Sequence, residues 1–292
     1  MNGARAFCVP RAVFSGGAVL PRILLLSDVH LCHVPWYGRR PEARLEKMLA
    51  DIRREHEKFP IERILMLGDY SLDYWESEPG SYAAHGVSNT QRFIEEFAAR
   101  LPCPFDMIPG NHEQYPAAVW ERLTGFPRQF SVALGEYLFV MLDTYANPPE
   151  TGFARYTGPD MAFLTAEIAA HAGKKIFLCA HSFTPDGEPE DAPQPEAFLR
   201  LVRENHDIAA LFAGHSHLSA PIPISGRQIY QTGGYSYTCA DPPWESMWGF
   251  RELILRPEGA ETAYIVPANT VLFDGEWVSI PYHRQDAAHI RL

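Results

Sequence analysis

The chain has 292 residues, of which 46% are hydrophobic and 21% are charged, a composition typical of a soluble globular protein. This length is sufficient for one large domain or two, with a substantial buried core. The formal net charge of −11 argues against a broad surface for nucleic acid or for an anionic membrane, because both partners require basic faces.

The first half of the chain alternates apolar runs with helical patterns. Residues 1–21 contain several turn residues and are expected to form a loosely specified arm. The apolar run Ile23-Leu24-Leu25-Leu26 predicts a strand that is covered on both faces. The other elements predicted here are a helix over 41–58, a strand over 63–67, a helix from Asn89 to about Arg100, a strand over 104–109, and β-like runs near 128–134 and 137–142.

The second half continues this alternation and then becomes β-only. A helix is expected to begin at Gly158-Pro159-Asp160 and to stop at Gly173, and a second helix is expected at about 196–205. The predicted strands cover 175–180 and 208–213, then runs near 220–224, 227–232, 250–255 and 262–266, with a hairpin signal at Asp274-Gly275. This order predicts an α/β core, with a second sheet from the β-rich tail packed on it.

The cysteines and the apolar runs indicate the compartment. The five cysteines are scattered and include no Cys-x-x-Cys pair, so we expect buried free thiols in a reducing environment rather than disulfides or a zinc knuckle. No apolar run reaches the roughly 18–20 residues needed to cross a bilayer. Pro10 and Arg11 interrupt any secretory signal near the N-terminus. The expected location is therefore cytoplasmic, without a membrane partner.

Five strand-like runs end in residues that can bind a metal. In chain order these clusters are Asp28-Val29-His30, Gly68-Asp69, Gly110-Asn111-His112-Glu113, His181 and Gly214-His215-Ser216-His217. Open α/β sheets bind ligands at the carboxyl ends of their strands. Imidazole and carboxylate together suit Zn, Fe and Mn ions. A single pair of this kind means little, but all five clusters in one chain predict a metal site.

The series Asp-x-His, Gly-Asp, Gly-Asn-His-Glu, His and Gly-His-x-His resembles the motifs of the calcineurin-like metallophosphoesterases, in that family's order. The resemblance extends from Asp28 to His217. It implies an α/β fold in which a two-sheet β-sandwich is flanked by helices in four layers (αββα). It also implies that residues 22–292 form one catalytic domain with a β-rich C-terminal part.

The same resemblance implies a role for each residue of the clusters. One divalent ion would be held by Asp28, His30 and His217, and a second by Asn111, His181 and His215, with Asp69 bridging both. The two ions would be Mn, Fe or Zn. His112 would be the catalytic histidine.

The segment after Asp69 departs from the family pattern. Many members have Gly-Asp-x-x-Asp, whereas Leu72 stands at that second position here and Asp73 follows one residue later. Because the second Asp does not bind metal in most members, the expected metal site is unaffected, and the departure bears on the subfamily. Asp73 is expected to orient a loop or to bind solvent.

The expected activity is hydrolysis of a small-molecule phosphoester by a hydroxide that bridges two metal ions. A histidine acid at position 112 helps most with a poor alkoxide leaving group, which favours phosphodiesters. Three alternatives remain at this stage: a phosphomonoesterase of the same fold, a metal-dependent nuclease, and a non-catalytic scaffold. The net charge of −11 counts against the nuclease, and the complete set of ligands counts against the scaffold.

Several neighbouring residues allow more than one interpretation. Aromatic residues after the clusters could wall the pocket and stack on a leaving group, or fill the core under a loop: Trp36, Tyr70, Tyr74 and Trp75. Glu113 could orient a histidine, cap a helix or lie in solvent. Asp143-Thr144 follows a strand-like run, and a turn or cap is the favoured interpretation.

Overall fold

The computed structural model describes residues 21–73, 88–113, 115–145, 156–184, 195–241 and 243–291. Its strands are β1 (Arg22–Leu26), β2 (Arg63–Leu67), β3 (Phe105–Ile108), β4 (Phe130–Leu134), β5 (Tyr137–Leu142), β6 (Lys175–Ala180), β7 (Ile208–Ala213), β8 (Pro221–Ile224), β9 (Arg227–Gln231), β10 (Phe250–Arg256), β11 (Gly259–Val266), β12 (Asn269–Phe273), β13 (Glu276–Ile280) and β14 (His283–Arg291). Its α-helices are α1 (Pro41–Lys58), α2 (Asn89–Arg92), α3 (Ala117–Thr124), α4 (Met161–Ala170) and α5 (Glu196–Glu204).

The strands form two six-stranded sheets and a separate hairpin of β12 and β13. The first sheet has the order β14-β11-β10-β1-β2-β3, and the second has the order β4-β5-β6-β7-β9-β8. In the first sheet β1, β2 and β3 run parallel, and the partners β10, β11 and β14 are antiparallel. In the second sheet β5, β6, β7 and β9 run parallel.

The late β-rich region does not form a second sheet of its own, so that part of the sequence prediction is wrong. Strands β10, β11 and β14 extend the first sheet, because β1 pairs with β2 on one edge and offers its other edge to β10. The second sheet consists of β4 to β9. The two halves of the predicted α/β core therefore lie in different sheets.

Alternating side chains on β1 show how the layers pack. Ile23 and Leu25 face the second sheet and join an apolar layer with Phe177, while Leu24 and Leu26 pack towards α1. A third apolar layer lies between the outer face of the second sheet and the helices α4 and α5. The order of layers is thus helix, sheet, sheet, helix, which confirms the predicted four-layer sandwich.

The predicted helices form with small shifts, and the structure adds α3, which the sequence did not predict. Helix α1 begins at Pro41 and ends at Lys58, as predicted. Ser88, rather than Asn89, caps α2 by accepting a hydrogen bond from the Gln91 N–H, and the chain continues through a π-helical turn and a 3₁₀ turn to Arg100. Within the described ranges, no helix is both long and apolar enough to span a bilayer.

The described cysteines are free thiols, in agreement with the sequence prediction, but not all of them are buried. Cys32 and Cys179 are buried, and Cys103 is half-buried. Cys239 is exposed, which corrects the expectation of buried thiols at that position.

Candidate metal centre

The loops that follow β1, β2, β3, β6 and β7 meet at one place and are joined by backbone hydrogen bonds. The N–H groups of Val29 and His30 both donate to the carbonyl oxygen of Asp69, at 2.8 and 2.9 Å. The Gly214 N–H donates to the His181 carbonyl at 2.9 Å. The parallel strands therefore bring the five sequence clusters to a common point, and all eight predicted site residues lie there.

Five of these eight residues have a left-handed backbone, which only glycine adopts without strain. Asp28, His30, Asp69, His215 and His217 have φ values of 53, 49, 57, 67 and 55°. Each such conformation costs on the order of 1–3 kcal/mol, and it persists only where the surrounding structure enforces it. Residues in this region concentrate at functional sites, so the backbone itself marks this place as specialised.

The first cluster contains Asp28, His30 and His217, all of them buried. Asp28 Oδ1 lies 3.3 Å from His217 Nε2 and 4.0 Å from His30 Nε2. The other ring nitrogens face the protein: His217 Nδ1 donates to the Tyr237 carbonyl at 2.9 Å, and His30 Nδ1 is 2.9 Å from Ser236 Oγ. These contacts orient both rings so that Nε2 points into the cluster, and because a carbonyl can only accept, His217 Nε2 carries the lone pair when that ring is neutral.

The second cluster contains Asn111, His181 and His215. Asn111 Oδ1 lies 2.9 Å from His181 Nε2 and 3.1 Å from His215 Nδ1, and the two ring nitrogens are 3.3 Å apart. His181 Nδ1 donates to the Leu67 carbonyl at 2.6 Å, so its Nε2 carries the lone pair when the ring is neutral. The electron-rich atoms of all three residues thus converge.

Asp69 lies between the two clusters. Its Oδ2 is 3.2 Å from His30 Nε2 in the first cluster and 3.1 Å from His181 Nε2 in the second. Its Oδ1 accepts a hydrogen bond from the His112 backbone N–H at 3.1 Å. One carboxylate therefore reaches both groups of side chains, which is the placement that a bridging ligand requires.

The charges of the cluster show that the donor set suits cations. Burial opposes ionisation of Asp28, but the neighbouring His217 outweighs it and lowers the pKa of Asp28 to about 2. Burial also opposes protonation of His181, yet Asp69 prevails and raises the pKa of His181 to about 10. Asp28 Oδ1 is buried and accepts no hydrogen bond from the residues that the structure describes. Converging carboxylate, amide and imidazole donors with a buried oxygen of this kind fit divalent metal ions.

His112 lies at the edge of the two clusters. Its side chain is 17% exposed, and its Nε2 is 3.8 Å from Asp69 Oδ2. Its ring meets the His30 ring edge-on, with 5.4 Å between the centroids. Burial lowers the pKa of His112. The imidazole is therefore next to the clustered ligands and still reaches the surface, as a group that exchanges a proton with a substrate must.

Glu113 does not lie in solvent, orient a histidine or cap a helix, which corrects all three of its sequence interpretations. It is fully buried, and its carboxylate accepts the backbone N–H groups of Asp69 (2.8 Å), Ser71 (3.0 Å) and Gly110 (2.9 Å). One side chain thereby fixes the turns that present Asp69 and Asn111. Its function is to shape the backbone around the ligands.

Other residues near the clusters have structural functions. Tyr70 is fully buried, and its hydroxyl lies within hydrogen-bond distance of the carbonyls of Met66 (2.8 Å) and Ile108 (2.7 Å), so it fills the core and does not wall a pocket. Asp73 accepts the N–H groups of Asn89 and Thr90 at the start of α2, which confirms that it orients a loop. Asp143 forms an ion pair with Arg128 at 2.5 Å and accepts the Tyr145 N–H in a turn. Tyr74 and Trp75 lie outside the described residues.

Three residues at the site were not predicted from the sequence. Ser236 and Tyr237 support His30 and His217 from the loop after β9. The pair Gly233-Gly234 marks this loop in the sequence and could have indicated it. Arg44 on α1 donates to the carbonyls of Val29 and His30, and nothing in the sequence distinguishes it from a surface arginine of an amphipathic helix.

Gly110 allows the closest approach in the centre. A Cβ atom at this position would lie 2.1 Å from Asp69 Oδ1. We therefore expect Gly110→Ala to displace the Asp69 carboxylate and to weaken metal binding about 10- to 100-fold, as measured by titration with Mn²⁺. The control is Gly226→Ala, which introduces a strained alanine at φ 81° with nothing within 4 Å. Unchanged Mn²⁺ affinity in Gly110→Ala would show that the close approach is irrelevant to the metal.

The chain is similar to one protein family and to several solved structures. The sequence model described as calcineurin-like phosphoesterase matches residues 21–219. No curated protein matches the chain. The purple acid phosphatase PPD1 from yellow lupin (Lupinus luteus) aligns with a TM-score of 0.57 at 13% identity, over 91% of this chain and 54% of that chain. A candidate 5'-nucleotidase from Staphylococcus aureus aligns with a TM-score of 0.52 at 14% identity, over 91% and 54%. Vps29 from Chaetomium thermophilum aligns with a TM-score of 0.42 at 12% identity, over 94% and 100%.

The similarities to the purple acid phosphatase and to the candidate nucleotidase establish the fold alone, because the identities are 13% and 14%. The chain spans about half the length of the purple acid phosphatase and of the candidate nucleotidase. The family match is more informative, since residues 21–219 are more than half of the chain and include both clusters and Asp69. The chain belongs to the calcineurin-like phosphoesterase family.

Proposed function

We propose that the protein is a hydrolase that uses two divalent metal ions to cleave phosphoester bonds in small molecules, with phosphodiesters as the preferred substrates. The observation that carries this proposal is the position of Asp69, whose Oδ2 is within 3.2 Å of His30 Nε2 and 3.1 Å of His181 Nε2. Asp28, His30 and His217 would hold one ion, and Asn111, His181 and His215 the other. Asp69 would contact both.

The remaining groups of the centre have separate tasks. Two divalent ions, when bound, supply an acidified water and positive charge opposite the phosphoryl oxygens. His112 would donate a proton from its ring to the oxygen of the departing alcohol, since it reaches the surface and the Asp69 carboxylate 3.8 Å away opposes the effect of burial and favours the protonated ring. The backbone N–H of His112 and the carboxylate of Glu113 keep Asp69 in place. The Leu67 and Tyr237 carbonyls fix the orientation of the His181 and His217 rings.

Charge and similarity support a small phosphoester as the substrate. The net charge of −11 disfavours a long polyanion, while the ligand cluster gives a small anion a local site. Two of the similar structures are named as a phosphatase and a candidate nucleotidase, which supports phosphoester chemistry in general. The preference for diesters rests on His112, since protonation matters most for a poor leaving group.

The first experiment measures metal content and turnover together. The protein is stripped with a chelator, reloaded with Mn²⁺ and assayed with bis-p-nitrophenyl phosphate and p-nitrophenyl phosphate. We expect two bound ions, metal-dependent turnover of the diester with the higher kcat/KM, and loss of turnover in Asn111→Ala. If metal is bound but neither ester is hydrolysed with any divalent ion, the protein is a non-catalytic scaffold. A higher kcat/KM for the monoester would identify a phosphomonoesterase.

His112→Asn tests the assignment of the proton donor. We expect kcat to fall by about 10²-fold for an alkyl phosphoester and by much less for a p-nitrophenyl ester, because p-nitrophenolate leaves without a proton. Metal content is measured in parallel. The control is His289→Asn, on the exposed side of β14, which should leave both rates unchanged. Equal losses for both esters would contradict a role in protonation of the leaving group.

A further inference from the structure

We propose that Trp36 and Tyr237, here called the aromatic rim, bind a flat aromatic group of the substrate beside the Asp28–His30–His217 cluster. The ligand is an aryl or a nucleobase group attached to the phosphoester. This inference rests on the proposed function and adds the class of substrate to it.

The rim lies against the histidines of the first cluster. The Tyr237 ring centroid is 4.1 Å from that of His217 and 5.8 Å from that of His30. The Trp36 centroid is 6.3 Å from that of His30 and 5.7 Å from that of Tyr237. Aromatic rings stack with centroids about 4.5–7 Å apart. An aromatic group that is one or two bonds away from a phosphorus atom held at the cluster is therefore within stacking distance of both rings.

The two rings keep accessible surface, while the histidines beneath them do not. Tyr237 is 39% exposed and Trp36 is half-buried, but His30 and His217 are 1% and 3% exposed. The Tyr237 hydroxyl forms no hydrogen bond with any residue in the described ranges. Large apolar side chains exposed beside a cluster of buried polar groups are characteristic of a ligand site.

Packing on one ring and hydrogen bonds of the backbone position the rim before a ligand binds. The Arg44 guanidinium lies 4.8 Å from the Trp36 centroid, and Trp36 exchanges two backbone hydrogen bonds of 3.0 Å with Arg39. The Tyr237 carbonyl accepts from His217, and the next residue, Thr238, donates its N–H to the Tyr37 hydroxyl at 3.2 Å. Since Trp36 packs on Arg44 and Tyr237 packs on His217, stacking on these rings costs less side-chain entropy than stacking on rings without such contacts.

A flat group is favoured over an aliphatic group of the same size. Both rings present π faces, and the Trp36–Tyr237 angle of 41° leaves a ring edge and a ring face next to each other. A stacked or edge-to-face pair stabilises a complex beyond the burial of apolar area. For one aromatic partner this extra stabilisation raises the affinity about fivefold. A saturated ring gains only the stabilisation that comes from burying its apolar area. The difference in affinity between a flat ligand and a saturated ligand of the same size therefore measures the contribution of the aromatic rim.

The test compares benzylphosphonate with cyclohexylmethylphosphonate by calorimetry on the Mn²⁺-loaded protein. The two ligands match in size and charge, and neither is hydrolysed. We expect benzylphosphonate to bind about fivefold more tightly, and this ratio to fall to about one in Trp36→Leu and in Tyr237→Leu. Tyr282→Leu is the control, because Tyr282 is 42% exposed and lies against Lys58 at the end of α1, and it should keep the wild-type ratio.

The possible outcomes show whether the proposal for the aromatic rim fails by itself or together with the proposed function on which it rests. Equal binding of both phosphonates by the wild-type protein overturns the aromatic rim and leaves the phosphoesterase proposal intact. No binding of either phosphonate overturns both. A ratio that survives in both Leu variants also overturns the rim. Phosphonate analogues of a nucleoside monophosphate and of ribose 5-phosphate show whether the bound aromatic group is a nucleobase or a simple aryl group. Tighter binding of the nucleoside analogue than of the ribose analogue identifies a nucleobase. If only benzylphosphonate binds more tightly than its saturated counterpart, the group is a simple aryl ester.

Discussion

Asp69→Asn is expected to lower kcat/KM for phosphoester hydrolysis by at least about 10⁴-fold, which corresponds to about 5.5 kcal/mol of transition-state stabilisation. The reason is that Asp69 Oδ2 contacts both clusters and its Oδ1 accepts the His112 N–H. Asparagine keeps the shape and tolerates the left-handed backbone, but it replaces one oxygen by a hydrogen-bond donor and removes the negative charge. Metal content should fall below two ions per chain. Elemental analysis and steady-state kinetics on the same preparation measure both effects.

Asp274→Asn is the matched control for this substitution. Asp274 also has a left-handed backbone, with φ of 49° against 57° for Asp69, but it lies exposed at the tip of the β12–β13 hairpin. The same chemical change at the same backbone conformation should therefore leave metal content and kcat/KM at wild-type values. If Asp69→Asn kept two ions and remained within tenfold of the wild type, the assignment of Asp69 as the shared ligand would be wrong.

The parts of the fold that the sequence predicted are those with strong local signals. Strands β1, β2, β6 and β7 are continuous apolar runs, because both faces of their sheets are covered. Pro41 marks the start of α1, and Asp160 caps α4 by accepting the N–H groups of Ala162 and Phe163. At each of these positions the local pattern and the tertiary structure agree, and the prediction needed no knowledge of the neighbouring strands.

The elements that were missed lack such signals. Strand β14 is polar along most of its length, with Ile290 as its buried apolar residue, because it forms the edge of the first sheet. Helix α3 has eight residues and buries Trp120, which is too short a segment for a clear helical period. The pairing of β10 with β1 depends on residues more than 220 positions apart. No local pattern records that contact.

The residues of the site also divide into those with a local sequence signal and those without one. Its proposed ligands were predicted from sequence because each comes directly after an apolar run. The groups that hold the ligands act through backbone atoms: Glu113 accepts the Asp69 N–H, and the Tyr237 carbonyl accepts from His217. A carbonyl oxygen is present at every residue, so its use at one position leaves no trace in the residue type. The supporting contacts therefore become visible only in three dimensions.

Arg44→Met is expected to destabilise the metal-free protein by about 3 kcal/mol. The Arg44 side chain is fully buried, and its guanidinium donates to the carbonyls of Val29 (2.7 Å), His30 (3.3 Å) and Tyr235. Burial lowers the pKa of Arg44 to about 10, so the group is still charged at neutral pH. Methionine fills much of the space but donates nothing, and an unsatisfied buried carbonyl costs about 1–3 kcal/mol. Urea unfolding in the presence of a chelator measures the loss.

The same substitution should also weaken Mn²⁺ binding by about tenfold, because Arg44 ties the loop of Asp28 and His30 to the loop of Tyr235 and positions ligands without touching the metal. Arg53→Met is the control on the same helix: the Arg53 side chain is exposed, and its hydrogen bond to the Arg100 carbonyl at 3.0 Å lies at the surface, so stability should change by less than about 0.5 kcal/mol. Equal stability of the two variants would mean that solvent replaces the guanidinium at the three carbonyls. The loop after β1 would then be held by its backbone hydrogen bonds to Gly68, Asp69, Tyr70 and Tyr235.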